Sequence, residues 1–201
     1  MTTAAIILAA GASSRMGRSK QLLLVNGRPL LLHTMDVVSE AALAPAVVVL
    51  GAHHQEHQEL IRDSNIATAI NPHWENGMGG SLKAGLNHLL AHTQSIDAVI
   101  MLVCDQPEIT ADHLQALIQK YHVSKSPIVA SWYANTAGVP ALFDKTMFAE
   151  LLRLDDSQGA QKIIRQHAYI LAVVDFPDGA IDLDTPEDYE QFVKTKKPSA
   201  G

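Results

Sequence analysis

One cysteine, Cys104, in 201 residues leaves no intramolecular disulfide to form and no CxxC motif for a redox or metal site. That composition fits a reducing cytoplasm, where the chain is expected to work. Basic tracts are just as scarce. The formal net charge is −6, from 21 acidic against 15 basic residues, whereas general binders of nucleic acid or membrane surfaces carry positive charge in patches. Neither is an expected partner, and any anionic ligand must be held by local groups. No apolar run approaches the roughly 18 residues that span a bilayer. The opening MTTAAIILAAGASSR lacks a basic start and turns polar too early for a signal peptide. Internal repeats and low-complexity segments are also missing. What remains is a chain 47% apolar, enough for one substantial core. A single domain is expected over 1–194, with a frayed tail over 195–201.

Short apolar runs alternate with helical patterns. Strands are expected at 4–10, 46–51, 66–70, 97–103, 127–131 and 169–176. Their hydrophobicity is continuous rather than alternating, as in parallel strands covered on both faces. Between them, Pro29 suits the first turn of a helix, while Thr110 and Asp144 suit N-caps. Thr185, Pro186 and Asp188 form a cap, a first-turn proline and an acidic third position. The expected fold is an α/β, three-layer α/β/α sandwich with a Rossmann-like, mainly parallel sheet. Ligands of such sheets bind at the carboxyl ends of the strands, beside the switch in strand order. The segment SWYANTAGVPALF (131–143) breaks the alternation. A β excursion with a Gly-Val-Pro turn is expected there, walling one side of the cleft.

The first strand runs into LAAGASSRMGRSKQLL (8–23). A Walker A loop needs G-x-x-x-x-G-K-[ST], but five residues separate Gly11 from Gly17 and Arg18 follows. A dinucleotide fingerprint needs glycine where Ser13 stands. What remains is a small-residue turn bearing Arg15, Arg18 and Lys20. Such a loop either wraps a triphosphate with its backbone amides and cations or is a solvated βα turn that happens to be basic.

Further along, Asp105 follows the buried strand over 97–103, where a hard oxygen ligand suits Mg2+ and a helix cap or turn former is the plainer alternative. Asp182 and Asp184, two apart in an extended stretch, point the same way and offer a second carboxylate. GMGGSLKAGL (77–86) reads as a loop feeding a helix near Ser81, braced by Asn71 and Trp74, the latter equally readable as a half-buried packing residue. Cys104 reads as a buried, inert thiol. HHQEHQ (53–58) lacks the H-E-x-x-H pattern and reads as a solvated helix start.

LAAGASSRMGRSKQLLLVNGRPLL resembles the signature of the MobA-like nucleotidyltransferases, L-A-[AG]-G-x-x-x-R-M-G-x-x-K followed by a G-x-P-L-L helix start. NPHWENGMGGSLKAGL, CDQPEIT, GVPALFDKTMFAELLRL and DLDTPEDYEQF resemble the family's later blocks in the same order. The resemblance covers most of the chain and is strongest to the molybdenum cofactor cytidylyltransferases of the nucleotide-diphospho-sugar transferase fold. It implies that Gly11, Ala12, Ser13, Ser14 and Gly17 hold the triphosphate, with Lys20 on the α-phosphate and Arg15 on the β- and γ-phosphates. Arg18 falls at a position the family leaves free, and a solvated side chain is expected. The resemblance further implies Mg2+ on Asp105 with Asp182 or Asp184, and Ala9, Ala10 and Ser81 against the base. The reaction it implies is transfer of a nucleoside monophosphate to the phosphate of molybdopterin with loss of pyrophosphate. CTP is favoured over GTP because the loop reads LAAG rather than LAGG, and docking to molybdenum enzymes is a further partnership it allows. A cytidylyltransferase for a sugar phosphate or methylerythritol phosphate is the enzymatic alternative, and a non-catalytic nucleotide-binding cofactor-insertion protein the alternative of another class.

Overall fold

The computed structural model describes residues 1–196. In chain order the elements are β1 (Thr3–Ala9), β2 (Leu24–Val25), β3 (Arg28–Pro29), α1 (Leu30–Glu40), β4 (Ala46–Leu50), α2 (His54–Ile61), β5 (Ala67–Ile70), α3 (Met78–His92), β6 (Ala98–Val103), α4 (Ala111–Ser124), β7 (Ile128–Tyr133), β8 (Thr136–Asp144), α5 (Phe148–Leu151), α6 (Ala160–Gln166), β9 (Leu171–Asp175) and α7 (Pro186–Lys196). Seven strands form one sheet in the order β5-β4-β1-β6-β8-β7-β9. β1 pairs in parallel with β4 and with β6, while β8 runs antiparallel to β6 and β7.

The continuous apolar runs have the burial they suggest. Ile7, Val48, Leu50, Ile100 and Leu102 pack on one face against α1, α4 and α7, through Leu30, Leu31, Leu114, Leu117 and Phe192. Ile6, Val47, Val49, Val99, Met101 and Phe143 pack on the other against α3, α5 and α6, through Leu82, Leu86, Leu89, Leu151 and Ile163. Each fully buried side chain of this size is worth roughly 1.5–3 kcal/mol relative to exposure. Two apolar faces on one sheet require two helical layers, and the sandwich follows.

The chain leaves β1 for β4 and β5 on one side and returns to β6 on the other, so strand order reverses at β1. Leu8 lies opposite Val103 at the carboxyl ends of this pair. The loop after β1 and Asp105 after β6 thereby open into the same crevice.

Thr110 accepts a hydrogen bond from the His113 amide and Asp144 from the Thr146 amide, as caps should. Thr185 and Asp188 cap each other reciprocally at the start of α7. Pro29 stands one residue earlier than expected, at the N-cap of α1, and α3 starts three residues before Ser81. α7 runs through Thr195 and Lys196, the first two residues assigned to the tail; the other five lie outside the described residues.

The stretch at 131–143 is a correction. It joins the main sheet, as the end of β7 and most of β8, and its turn falls at Ala134 and Asn135, both with positive φ. Gly138–Pro140 is inside β8. The register jumps from Ala130↔Ala141 to Ser131↔Gly138, so Val139 and Pro140 form a bulge. A bulge is where a strand tolerates a proline without losing a ladder bond.

Candidate active site

A cleft of ≈ 510 Å³ opens at the carboxyl ends of β1 and β6, within the size range of small-ligand sites. Ala9, Ala10, Gly11, Ser13, Ser14, Arg15, Lys20, Ser81, Asp105 and Asp184 all line it. These residues come from four distant stretches of chain. Ala12, Gly17 and Asp182 are not among the lining residues.

The loop after β1 is held by its own small residues. Ser13 and Gly17 take left-handed conformations, with φ of 54° and 68°. The Met16 amide bonds the Ser13 carbonyl at 2.9 Å, and the Lys20 amide bonds Ser13 Oγ at 3.0 Å. Met16 is buried as the anchor, which leaves Arg15 and Arg18 outside. Arg18 remains exposed, with its guanidinium 5.3 Å from the Tyr189 ring centroid.

Two carboxylates and two cations meet at the mouth, with Asp182 near enough to feel their charge. Lys20 Nζ donates to Asp105 Oδ2 at 2.7 Å and to Asp184 Oδ1 at 2.6 Å. Arg15 donates to Asp184 Oδ2 at 2.7 Å. Burial works against the Lys20 ammonium, but the charges and hydrogen bonds of Asp105 and Asp184 outweigh it and hold its pKa above the ordinary value. The hydrogen bond from Lys20 keeps Asp184 below the usual carboxylate range, with the charges of Lys20 and Arg15 adding to it. Asp182 goes the other way. Protein crowding around its carboxyl, and then the like charges of Asp105 and Asp184, push it up to about 6.

That donor set fits a divalent cation. Hard carboxylate oxygens outnumber the local cations, and Asp105 and Asp184 lie close enough to share one cationic group, the Lys20 ammonium. Among the described residues no three His, Cys, Asp or Glu side chains already form a metal cage. Mg2+ does not require one, since it commonly takes one or two carboxylates and completes its shell with phosphate oxygens and water.

On the far wall Ser81 is buried, its Oγ accepting from Asn71 Nδ2 at 3.0 Å. Asn71 thus holds the start of α3 at Ser81, while Trp74 is half-buried against Gly51 and lines the cleft. The carbonyls of Ala9 and Ala10 are engaged within the protein, by Gln21 Nε2 at 2.9 Å and the Ala52 amide at 3.0 Å. Cys104 is buried, which pushes its thiol up to about 12 and keeps it protonated.

Sequence reasoning did not find three features. Gln21 is buried under the loop, and its amide also reaches the Gly11 carbonyl at 3.2 Å. Its only signal was its place beside Lys20. His57, assigned to a solvated helix start, is 0% exposed and lies against Ser19; the correction follows from α2 turning that one face inward. Residues 155–159 pack on the GMGG segment, with the Gly79 amide on the Asp156 carbonyl at 2.9 Å and Lys83 Nζ 2.6 Å from Asp156 Oδ1. Nothing in the local pattern links those two segments.

The model of the MobA-like NTP transferase domain matches residues 5–170. The chain is similar to the purine catabolism protein PucB of Bacillus subtilis, at 26% identity over 92% of this chain and 93% of that protein. It is 28% identical to the molybdenum cofactor guanylyltransferase of Vibrio cholerae, over 94% and 91% of the two chains. The crystal structure of Rv0371c from Mycobacterium tuberculosis shares the fold, with a TM-score of 0.83 at 23% identity over 96% and 98% of the chains. A structure of Rv0371c in complex with manganese gives a TM-score of 0.80 at 22% identity, over 97% and 100%.

Proposed function

Because the chain belongs to the MobA-like NTP transferase family, we propose that this nucleotidyltransferase uses Mg2+ to transfer CMP from CTP to the phosphate of molybdopterin. The observation that carries the reading is the meeting of Arg15 and Lys20 with Asp105 and Asp184 in one cleft. A site for an isolated anion has no use for the carboxylates, and a site for an isolated metal has no use for the cations. A triphosphate with its metal uses both. The similarity to a protein named molybdenum cofactor guanylyltransferase supports the acceptor. It also favours a second reading, GTP in place of CTP, against which stands only the methyl group of Ala10.

In the reaction an acceptor phosphate oxygen attacks the α-phosphorus, the new P–O bond forms, and the bond to the β-phosphate breaks to release pyrophosphate. A phosphate monoester is already ionised near neutrality, so the protein's task is to align two anions and cancel their repulsion. Lys20 turns from the carboxylates to the α-phosphate, where charge grows in the transition state. Arg15 is 71% exposed, so leaving Asp184 costs it little, and it takes the β- and γ-phosphates. Backbone groups of Gly11, Ser13 and Ser14 follow the chain of phosphates, with Ala12 and Gly17 shaping the turn that presents them, while Ser81 faces the base. Asp105 and Asp184, whose oxygens Lys20 leaves, would hold the metal, with Asp182 as the other candidate for the second carboxylate. Bound there, Mg2+ supplies charge neutralisation on the phosphate oxygens. One domain carries the whole site. Among the described residues no helix is long and apolar enough to cross a membrane, and we assign the reaction to the cytoplasm, with delivery to molybdenum enzymes as its outlet.

Pyrophosphate release with CTP, GTP and ATP, each with and without molybdopterin, tests the reading. Release that needs molybdopterin and is fastest with CTP is expected. No release with any of the three, or full turnover in Asp105→Ala, refutes it, and GTP preference moves the base assignment to the second reading.

A further inference from the structure

His57 is fully buried while His53, Gln55, Glu56 and Gln58 around it are exposed. Its Nε2 lies 2.6 Å from Ser19 Oγ. Ser19 Oγ in turn donates to Gln21 Oε1 at 2.7 Å, and Gln21 Nε2 donates to the carbonyls of Ala9 at 2.9 Å and Gly11 at 3.2 Å. A hydroxyl has one proton to give. Because Ser19 gives it to Gln21, the imidazole must be the donor to Ser19, which fixes the Nε2–H tautomer. Nδ1 is then an acceptor, and it is buried without a partner among the described residues.

A leucine or phenylalanine at this place on α2 would bury as well and leave no nitrogen unsatisfied. The imidazole therefore does something that packing alone does not. Burial, with His53 and His54 nearby, lowers its pKa despite the opposing charge of Glu56, so the donor is a neutral ring near neutral pH. The relay runs from α2 through Ser19 and Gln21 to both ends of the Ala9–Gly11 turn. Ser13 joins it, its Oγ donating to Gln21 Oε1 at 3.4 Å and accepting from the Lys20 amide at 3.0 Å.

We propose that His57 is a positioning residue for the phosphate-binding loop: through Ser19 and Gln21 it fixes residues 9–20 in their ligand-binding shape before a nucleotide arrives. The inference rests on the reading of that loop as a triphosphate site. A loop ordered in advance loses less conformational freedom on binding, so the effect falls on nucleotide affinity and on the placement of Lys20. His57 touches no reacting atom.

The test uses His57→Phe, His57→Gln, Ser19→Ala and the His57→Phe/Ser19→Ala double variant of the full chain. The first readout is amide hydrogen exchange in the ligand-free protein. Exchange in residues 9–21 is expected to rise about ten-fold in His57→Phe and in Ser19→Ala, with the double variant no worse than either single one. His57→Gln, whose amide N–H reaches about where Nε2–H does, is expected within about two-fold of the wild type. The second readout is the dissociation constant of CTP and of GTP by calorimetry, expected to weaken about five-fold in the same order. Unchanged loop exchange in both single variants overturns the proposal, as does His57→Gln behaving like His57→Phe or a double variant equal to the product of the singles. If His57→Phe does not fold, Ser19→Ala breaks the same link from the loop side. Absence of nucleotide binding in the wild type refutes the proposed function instead, and the exchange pattern still decides on His57.

Discussion

Replacing Gly79 by alanine is expected to damage the site severely, while the same change at the next residue, Gly80, is expected to be nearly silent. Helix propensity argues the reverse for both. They lie in the first turn of α3, where alanine is favoured over glycine by up to about 1 kcal/mol. Close approach decides between them. A Cβ at Gly79 would lie 2.3 Å from the Asp155 carbonyl oxygen and 2.4 Å from that of Gln158, against an ordinary C···O contact of about 3.3 Å. Both obstacles are backbone, so α3 and the 155–159 segment must part by about 1 Å, stretching the hydrogen bond from the Gly79 amide to Asp156. Overpacking of this kind costs about 1–3 kcal/mol and the stretched bond about 1 kcal/mol, which exceeds the propensity gain. For a domain of this size the net loss corresponds to a Tm lowered by about 3–10 °C. Ser81, two residues on, moves with the helix start, and a 1 Å misplacement costs about 100-fold in rate. At Gly80 the nearest atoms are side chains, Asn71 Nδ2 at 3.2 Å and Asp156 Cγ at 3.4 Å, which can yield by a few tenths of an ångström. Calorimetric Tm and steady-state pyrophosphate release measure both effects. A Gly79→Ala protein as stable and as active as Gly80→Ala refutes the view that the 155–159 segment is a fixed support behind the start of α3.

Other expectations concern charge and packing. Burial pushes His113 down to about 4, where it stacks on Phe176 and bonds Ser131. Unfolded, it takes up its proton near 6.5, so its stabilising contribution is complete above that pH and declines as pH falls from about 6.5 to 4, by about 3 kcal/mol in all. His113→Gln should flatten the dependence of Tm on pH across that window, and an unchanged slope removes the assignment. Lys20→Met vacates the space between Asp105 and Asp184; Mn2+ titration followed by electron paramagnetic resonance should show roughly ten-fold tighter binding without nucleotide, while kcat falls about 100-fold. Weaker Mn2+ binding would take the metal away from these carboxylates. In the wild type, NTP and Mn2+ should strengthen each other's binding by one common factor, and calorimetry finding no coupling would contradict the shared site. Phe143, fully buried in the α3-side core, should cost about 3–5 kcal/mol as Phe143→Ala, read by urea denaturation.

What was legible in the sequence divides along a physical line. Strands buried on both faces announce themselves as apolar runs, and β1, β4 and β6 stand within a residue or two of their expected positions. Caps are equally local, which is why Thr110, Asp144 and Thr185 act as expected. The β7–β8 pair was harder. Its turn residues, Ala134 and Asn135, lack the Asn-Gly signature that announces such a turn, whereas Gly138 and Pro140 imitate a turn while serving a bulge. Within the site, Lys20, Asp105 and Asp184 could be singled out because charged groups beside strand ends have few other uses. Their pairing with one another could not, since it depends on chain segments 85 and 164 residues apart. His57 was misplaced for a related reason. A polar helix such as α2 reads as solvated, and only the tertiary fold shows that one of its histidines faces inward onto Ser19.

On the proposed reading, the ion pairs in the cleft make substrate binding an exchange of partners. Lys20 and Arg15 pair with Asp105 and Asp184. If either cation turned to a triphosphate alone, a carboxylate in a partly desolvated pocket would be left without its counter-charge, a costly state. If a metal took the carboxylates alone, the Lys20 ammonium would be displaced with nothing to receive it. When metal and triphosphate enter together, each broken pair is replaced by another, with phosphate for the cations and metal for the carboxylates. Asp182, pushed up to about 6 first by crowding and then by the charges of Asp105 and Asp184, with Lys20 opposing, sits beside this exchange rather than in it. The cleft is thus matched to a metal-bound triphosphate as a unit, because phosphate and metal together replace each ion pair among Arg15, Lys20, Asp105 and Asp184.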